Sequence, residues 1–148
     1  YIYSLAIDTS GKIFAGTSSS VYVSTNNGNS WTKPTTTFST ADILTLCTAV
    51  NGWVWAGTHD QGMYCSSDRG ATWNSSSLST GRVNAIIYDG TTLFTGTSAQ
   101  GVYSSKDNGI TVSTINDKLT DLNVFSLTIH AGKTLFAGAQ NGIFKKSF

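Results

Sequence analysis

Apolar and polar positions alternate in short runs along this chain, and the same run returns four times. Residues 2–8 and 13–16 recur as 43–47 and 54–57, then as 83–89 and 93–96, then as 124–129 and 135–138. The runs close on Gly16, Gly57, Gly96 and Gly138. That spacing is about 40 residues, a period that belongs to propeller blades or helical arrays. Each copy is made of short β-branched and aromatic stretches broken by Gly, Asn, Asp and Ser, which excludes the helical option.

The second repeat shows how one unit is organised. Residues 43–49 read as a first strand, and Asn51-Gly52 is a strong hairpin signal, because both central residues of a type I′ turn need positive φ. Residues 53–58 read as the second strand, 59–62 as a turn, and 63–66 as the third strand. The chain then turns into a fourth strand over 74–78. A four-stranded antiparallel meander of this kind is one propeller blade. The prediction is an all-β fold in one domain, a β-propeller of four blades of roughly 40 residues. The blades span about 1–40, 41–80, 81–120 and 121–148, the last one truncated after its third strand.

The third and fourth strands are joined by the most specific motif of the chain. It reads Ser66-x-Asp68-x-Gly70-x-x-Trp73 in the second repeat, Ser24-x-Asn26-x-Gly28-x-x-Trp31 in the first, and Ser105-x-Asp107-x-Gly109-x-x-Val112 in the third. An Asp or Asn side chain accepts hydrogen bonds from backbone N–H groups inside a turn. The Gly supplies a conformation that other residues avoid, and the Trp packs back on the blade. This pattern resembles the Asp-box, or bacterial neuraminidase repeat, of sialidase-like β-propellers. The resemblance covers essentially the whole chain. It implies that the box residues are structural and lie away from any active centre. Similar repeats occur in sialidases, xyloglucanases, sortilin-type receptors and photosystem assembly factors, which usually have six or more blades.

The resemblance also tests for catalysis. Sialidases hold their substrate carboxylate with three arginines and use a tyrosine–glutamate pair, whereas this chain has only Arg69 and Arg82 and no Glu. Glycanases of the family use paired acids across a cleft. Asp8 and Asp89 are the candidates for one half of such a pair, but their repeated position at a hairpin is explained by turn chemistry. No Ser/His/Asp order, Cys-x-x-Cys pair, phosphate loop or metal cluster is evident. The expectation is a non-catalytic chain without cofactor or metal.

Composition narrows the partners. Charged residues make up 11% of the 148, with a net charge of +1, so there is no electrostatic case for nucleic acid. No run of 18 apolar residues is present, and no membrane span is expected. Ser and Thr exceed a quarter of the chain. Polarity without charge suits strand surfaces outside the cell, so secretion or display at the cell surface is the expected location. Cys47 and Cys65 fall on the first and third strands of one blade, about 9–10 Å apart, and two free thiols are expected.

Three further features are weighed. Trp53 takes a place held by Lys12, Thr92 and Thr134, so it is read as solvent-facing, either a sugar-stacking or interface residue or a chance surface aromatic. His59 and Asp60 sit in a turn whose counterparts are Ser18-Ser19 and Ser98-Ala99; a ligand or metal role is set against a plain turn. Asn74-Ser75-Ser76 is a sequon for N-glycosylation on an outer strand, and the run Thr35–Thr36–Thr37 is a candidate for O-linked sugar.

The leading functional expectation is a module that works through self-assembly. Neither end of the sequence offers a spare strand to complete the last blade, and unpaired strand edges are templates for another chain. Lys145 and Lys146 are the evident charges guarding the last strand. A homo-oligomeric ring of eight blades, a filament or a tube would result. The alternatives are a lectin-like, carbohydrate-binding propeller using Trp53 and His59, and a fragment of a larger glycoside hydrolase or receptor.

Overall fold

A computed structural model describes residues 1–35, 41–79, 81–131 and 134–148. It is all-β. Four antiparallel sheets follow one another along the described chain, each a simple meander. The first holds β1 (Ile2–Ile7), β2 (Ile13–Thr17) and β3 (Val21–Ser24). The second holds β4 (Ile43–Thr48), β5 (Val54–Thr58), β6 (Met63–Ser66) and β7 (Asn74–Ser75). The third holds β8 (Val83–Tyr88), β9 (Leu93–Thr97), β10 (Gly101–Ser105) and β11 (Ser113–Thr114). The fourth holds β12 (Val124–His130), β13 (Thr134–Ala139) and β14 (Gly142–Ser147).

The repeat is visible in the backbone as well as in the sequence. The first strand of every sheet shifts register at the same place, between Ile2 and Ser4, Ile43 and Thr45, Val83 and Ala85, and Val124 and Ser126. A bulge there sharpens the local twist of the strand. The second hairpin of the first three sheets is closed by a threonine. The hydroxyls of Thr17, Thr58 and Thr97 donate to the carbonyls of Ser20, Gly62 and Gly101 at 2.8–2.9 Å. The first hairpins close on Asp8 and Asp89, whose carboxylates accept from the amides of residues 10 and 12 and of residues 91 and 92 respectively. Those contacts engage Oδ1 of each aspartate; Asp8 Oδ2 is buried without a hydrogen bond, 3.8 Å from Arg69 Nη1.

The outer strand differs from the sequence-based expectation. In the second sheet it is a regular strand only over Asn74–Ser75, although the Ser76 amide still donates to the Met63 carbonyl and the Met63 amide to that of Leu78. In the first sheet it shrinks to a single bridge between Val23 and Thr32. Asn74 and Ser75 are exposed, while Ser76 and Leu78 beyond them are buried, Leu78 in the second core cluster. The four-stranded blade is therefore correct for the second and third sheets, and the first has three strands among the described residues.

The core lies between sheets. One apolar cluster joins Phe14, Val21 and Val23 of the first sheet to Ala41, Ile43, Val54, Ala56 and Trp73 of the second. A second joins Trp55, Met63 and Cys65 to Val83, Ile86 and Leu93, and a third joins Phe94 and Val102 to Val124, Leu135 and Ala137. The side-chain period of two gives each strand one face toward the preceding sheet and one toward the following sheet. Burial of these three seams is the main stabilising term, at about 25 cal/mol per Å² of apolar surface.

Candidate functional site

The Ser-x-Asp-x-Gly turns have the geometry their spacing predicts. In the second sheet the Ser66 hydroxyl donates to Asp68 Oδ1 at 2.8 Å and accepts from the Gly70 amide at 2.8 Å. Asp68 Oδ1 accepts from the Thr72 amide at 2.8 Å, and its Oδ2 from the Thr72 hydroxyl at 2.6 Å. Trp73 Nε1 donates to the Gly70 carbonyl at 3.2 Å. The same bonds recur around Ser105, Asp107, Gly109 and Thr111. Around Ser24, Asn26, Gly28 and Ser30 they recur with one reversal, Asn26 Nδ2 donating to the Ser30 hydroxyl at 2.8 Å, and Trp31 Nε1 donates to the Gly28 carbonyl at 3.1 Å. Gly70 has φ of 78° and follows Arg69 at 57°, a left-handed pair that closes the turn.

The turn carboxylates are held charged. On Asp68 burial opposes the charge, but the Thr72 hydroxyl and amide and the Ser66 hydroxyl outweigh it and lower the pKa below 3.8. On Asp107 the Thr111 hydroxyl leads, followed by the Thr111 amide and Ser105, and the pKa falls from 3.8 to about 2. A carboxylate depressed in the folded state stabilises above its unfolded value, and that stabilisation is lost as pH falls through the folded value. Acid titration is expected to weaken the chain between pH 3.8 and about 2. Asn26 makes the same amide contact without a charge. Changing Asp68 and Asp107 together to Asn should therefore leave the fold intact and flatten the loss of melting temperature across that window.

Two of the three turns also latch a joint between sheets. A Cβ on Gly70 would lie 2.6 Å from Phe14 Cε1 of the preceding sheet, and one on Gly109 would lie 2.9 Å from Met63 Cε. Trp55 Nε1 donates to the Asn108 carbonyl at 2.8 Å across the second joint. The other half of the joint is the glycine that ends each apolar run. A Cβ on Gly16 would meet Ile43 Cγ2 at 2.9 Å, one on Gly57 would meet Val83 Cγ1 at 2.5 Å, and one on Gly96 would meet Val124 Cγ1 at 2.7 Å. Sequence reading found these glycines as markers of the period but missed their work, which is to seat the first apolar residue of the following sheet. An Ile or Val recurring 26 to 28 residues after each glycine was the available signal.

The two end faces present the uncovered halves of this joint. Among the described residues, the sheets make their main contacts in series, from first to second, second to third and third to fourth. Ile43, Val83 and Val124 are fully buried, whereas their counterpart Ile2 is 68% exposed. Trp31 is 40% exposed against 8% for Trp73. It was expected to plug its blade as Trp73 does, but no preceding sheet lies beside it. At the other end, Ile143 is 79% exposed, and a Cβ on Gly138 would meet only the side chain of Ser126.

The remaining sequence candidates fall elsewhere. Trp53 is not a free solvent-facing ring. It is half-buried and stacks on Trp55, centroids 6.1 Å apart and planes 15° from parallel, within the second seam. The two residues stand two apart on an extended segment and so share a face. His59 and Asp60 are exposed in their turn; the His59 amide donates to the Asp42 carbonyl, and the Asp60 carbonyl accepts from the Gly81 amide. Among the described residues no group of three or more His, Cys, Asp or Glu could hold a metal ion. Asn74 is exposed on β7, as its sequon requires, and Thr36 and Thr37 lie outside the described residues. Cys47 and Cys65 are free and flank Trp55 across the sheet; burial pushes the Cys47 thiol up to about 11.

A family model for the DUF6242 beta propeller domain matches residues 6–129, most of the chain. The chain belongs to the DUF6242 β-propeller domain family. Comparison with curated protein sequences finds no match. Among solved structures this DUF6242 domain is similar to the computationally designed Ika4 protein, with a TM-score of 0.81 at 12% identity over 99% of this chain and 91% of that one. It is also similar to the extracellular domain of BT4673 from B. thetaiotaomicron, with a TM-score of 0.79 at 17% identity over 97% of this chain. A GH74 xyloglucanase from Xanthomonas campestris matches with a TM-score of 0.76 at 13% identity over 99% of this chain. The domain spans only 21% of the BT4673 chain and 29% of the xyloglucanase. At these identities the likeness is one of fold. Among the described residues no helix is long and apolar enough to cross a membrane.

Proposed function

We propose that this domain is a non-catalytic propeller module, of the Asp-box type, that works through assembly at its open sheet faces outside the cell or at its surface. The observation that carries the reading is the uncovered joint at each end, Ile2 on one side and Gly138 on the other. Contiguous apolar surface of this kind marks an interaction site in a stable protein. The chemistry of the acids supports a non-catalytic role. Asp8, Asp68, Asp89 and Asp107 are tied into turns, Asp117 bonds to Lys146, and Asp121 accepts from the amides of Asn123 and Asn141. The extracellular domain of BT4673 among similar folds supports the location.

A second reading has support of its own. The domain spans about a fifth to a third of the BT4673 and xyloglucanase chains. The same arc is then a segment of a longer receptor or hydrolase propeller whose further blades cover both ends. A lectin-like role loses its aromatic platform, since Trp53 is committed to Trp55.

Light scattering on the 148-residue chain, followed by electron microscopy, tests the leading reading. Particles of two or more chains are expected. A monodisperse single chain at high concentration would overturn assembly and leave the second reading standing.

A further inference from the structure

The three internal joints share one seat, and the first two add a second contact to it. An apolar β-branched residue sits on a glycine of the preceding sheet, as Ile43 on Gly16, Val83 on Gly57 and Val124 on Gly96. The left-handed turn of the following sheet presses on a large residue of the preceding one, as Gly70 on Phe14 and Gly109 on Met63. The two ends carry the missing partners in the same order. Gly138 and Phe136 line an apolar hollow with Ser126, Leu127, Thr128 and Ile143. Ile2 stands exposed on the opposite end face, and the Gly28 turn has no residue of a preceding sheet against it, since a Cβ there would approach only Trp31.

We infer that the surface covering each end is the other end of a second copy of this chain. The copies join head to tail, with Ile2 of one seated on Gly138 of the other and the Gly28 turn of the first over Phe136 of the second. The inference rests on the assembly reading above and assigns its contact. It places the contact on the sheet faces rather than on the edge of β14, where Lys146 is engaged by Asp117 at 2.7 Å. A second copy is favoured because the contact continues the glycine seat made three times within the chain and the turn contact made twice. A head-to-tail contact is heterologous, so it closes a ring when the rotation suits and extends a filament when it does not. Two arcs meeting at both ends would give eight sheets.

Two variants on opposite faces test the contact. In Gly138→Val the added Cβ meets only the side chain of Ser126, whose hydroxyl can rotate away, so the fold should persist while the seat for Ile2 is filled. Ile2→Asp places a charge on the exposed partner residue and leaves the internal joints untouched. Each variant should keep the parent melting temperature of the monomer and weaken association by roughly tenfold or more, as removal of a central interface residue does. Mixed together, the two variants retain one intact Ile2 and one intact Gly138, and sedimentation should recover a particle of two chains. An assembled parent that neither variant weakens would overturn the contact while leaving assembly itself standing. A parent that is a single chain at all concentrations would overturn both.

Discussion

Trp55→Ala is expected to lower stability by about 4 kcal/mol, within the range for aromatic truncation in a core. Trp55 is fully buried and packs in the seam formed with Met63, Cys65, Val83 and Leu93. Its ring lies 5.1 Å from that of Tyr88 and 6.1 Å from that of Trp53, and its Nε1 serves the Asn108 carbonyl. Truncation removes packing on both sides of a joint and strands a carbonyl acceptor, so the two costs add. Urea unfolding at neutral pH would measure the loss. Trp31→Ala is the control: with its side of the joint uncovered, the single chain should lose less than about 1 kcal/mol. Equal losses for the two would refute the assignment of stability to the joints.

Gly57→Ala should cost about 3 kcal/mol, at the upper end of what overpacking does. The added Cβ would lie 2.5 Å from Val83 Cγ1 and 2.9 Å from Val83 Cβ, so a rotamer change alone does not clear it. It would also lie 2.6 Å from Thr45 Cγ2. Thermal unfolding of Gly57→Ala, Val83→Ala and the double variant forms a cycle. If the joint is as described, the double variant is more stable than the sum of the singles predicts, because Val83→Ala makes room for the methyl. Strict additivity would place the strain elsewhere.

The sequence made much of this fold legible because turn chemistry is local. The Ser-x-Asp-x-Gly motifs fix their hairpins through bonds spanning two to four residues, and such bonds depend on residue type alone. Asn51-Gly52 marks a hairpin too, but not the type I′ turn expected there: Gly52 alone of the two has positive φ, at 90°, and its amide donates to the Ala49 carbonyl, so the turn is centred on Val50 and Asn51 with Gly52 left-handed after it. The strands between them read correctly from their alternation, apart from the short outer strands, where Ser and Thr leave little to bury. The candidate site was less legible, and Ile2 shows why. An apolar residue looks the same in a sequence whether a neighbouring sheet covers it, as with Ile43, or leaves it open. Trp53 differs: comparison with Lys12, Thr92 and Thr134 suggested solvent, and the structure leaves it half-buried against Trp55, two residues along the same extended segment.

One consequence of the glycine seats concerns how such molecules grow. Each joint rests on a glycine and a β-branched residue that recur, with a left-handed turn over a large residue added at the first two, and among the described residues the sheets make their main contacts with their neighbours in series. Duplicating one repeat therefore adds a blade together with a ready-made joint and leaves every other joint as it was. Blade number becomes a matter of how often one genetic unit is copied, and a length change that would wreck an interdigitated core is here a change of arc.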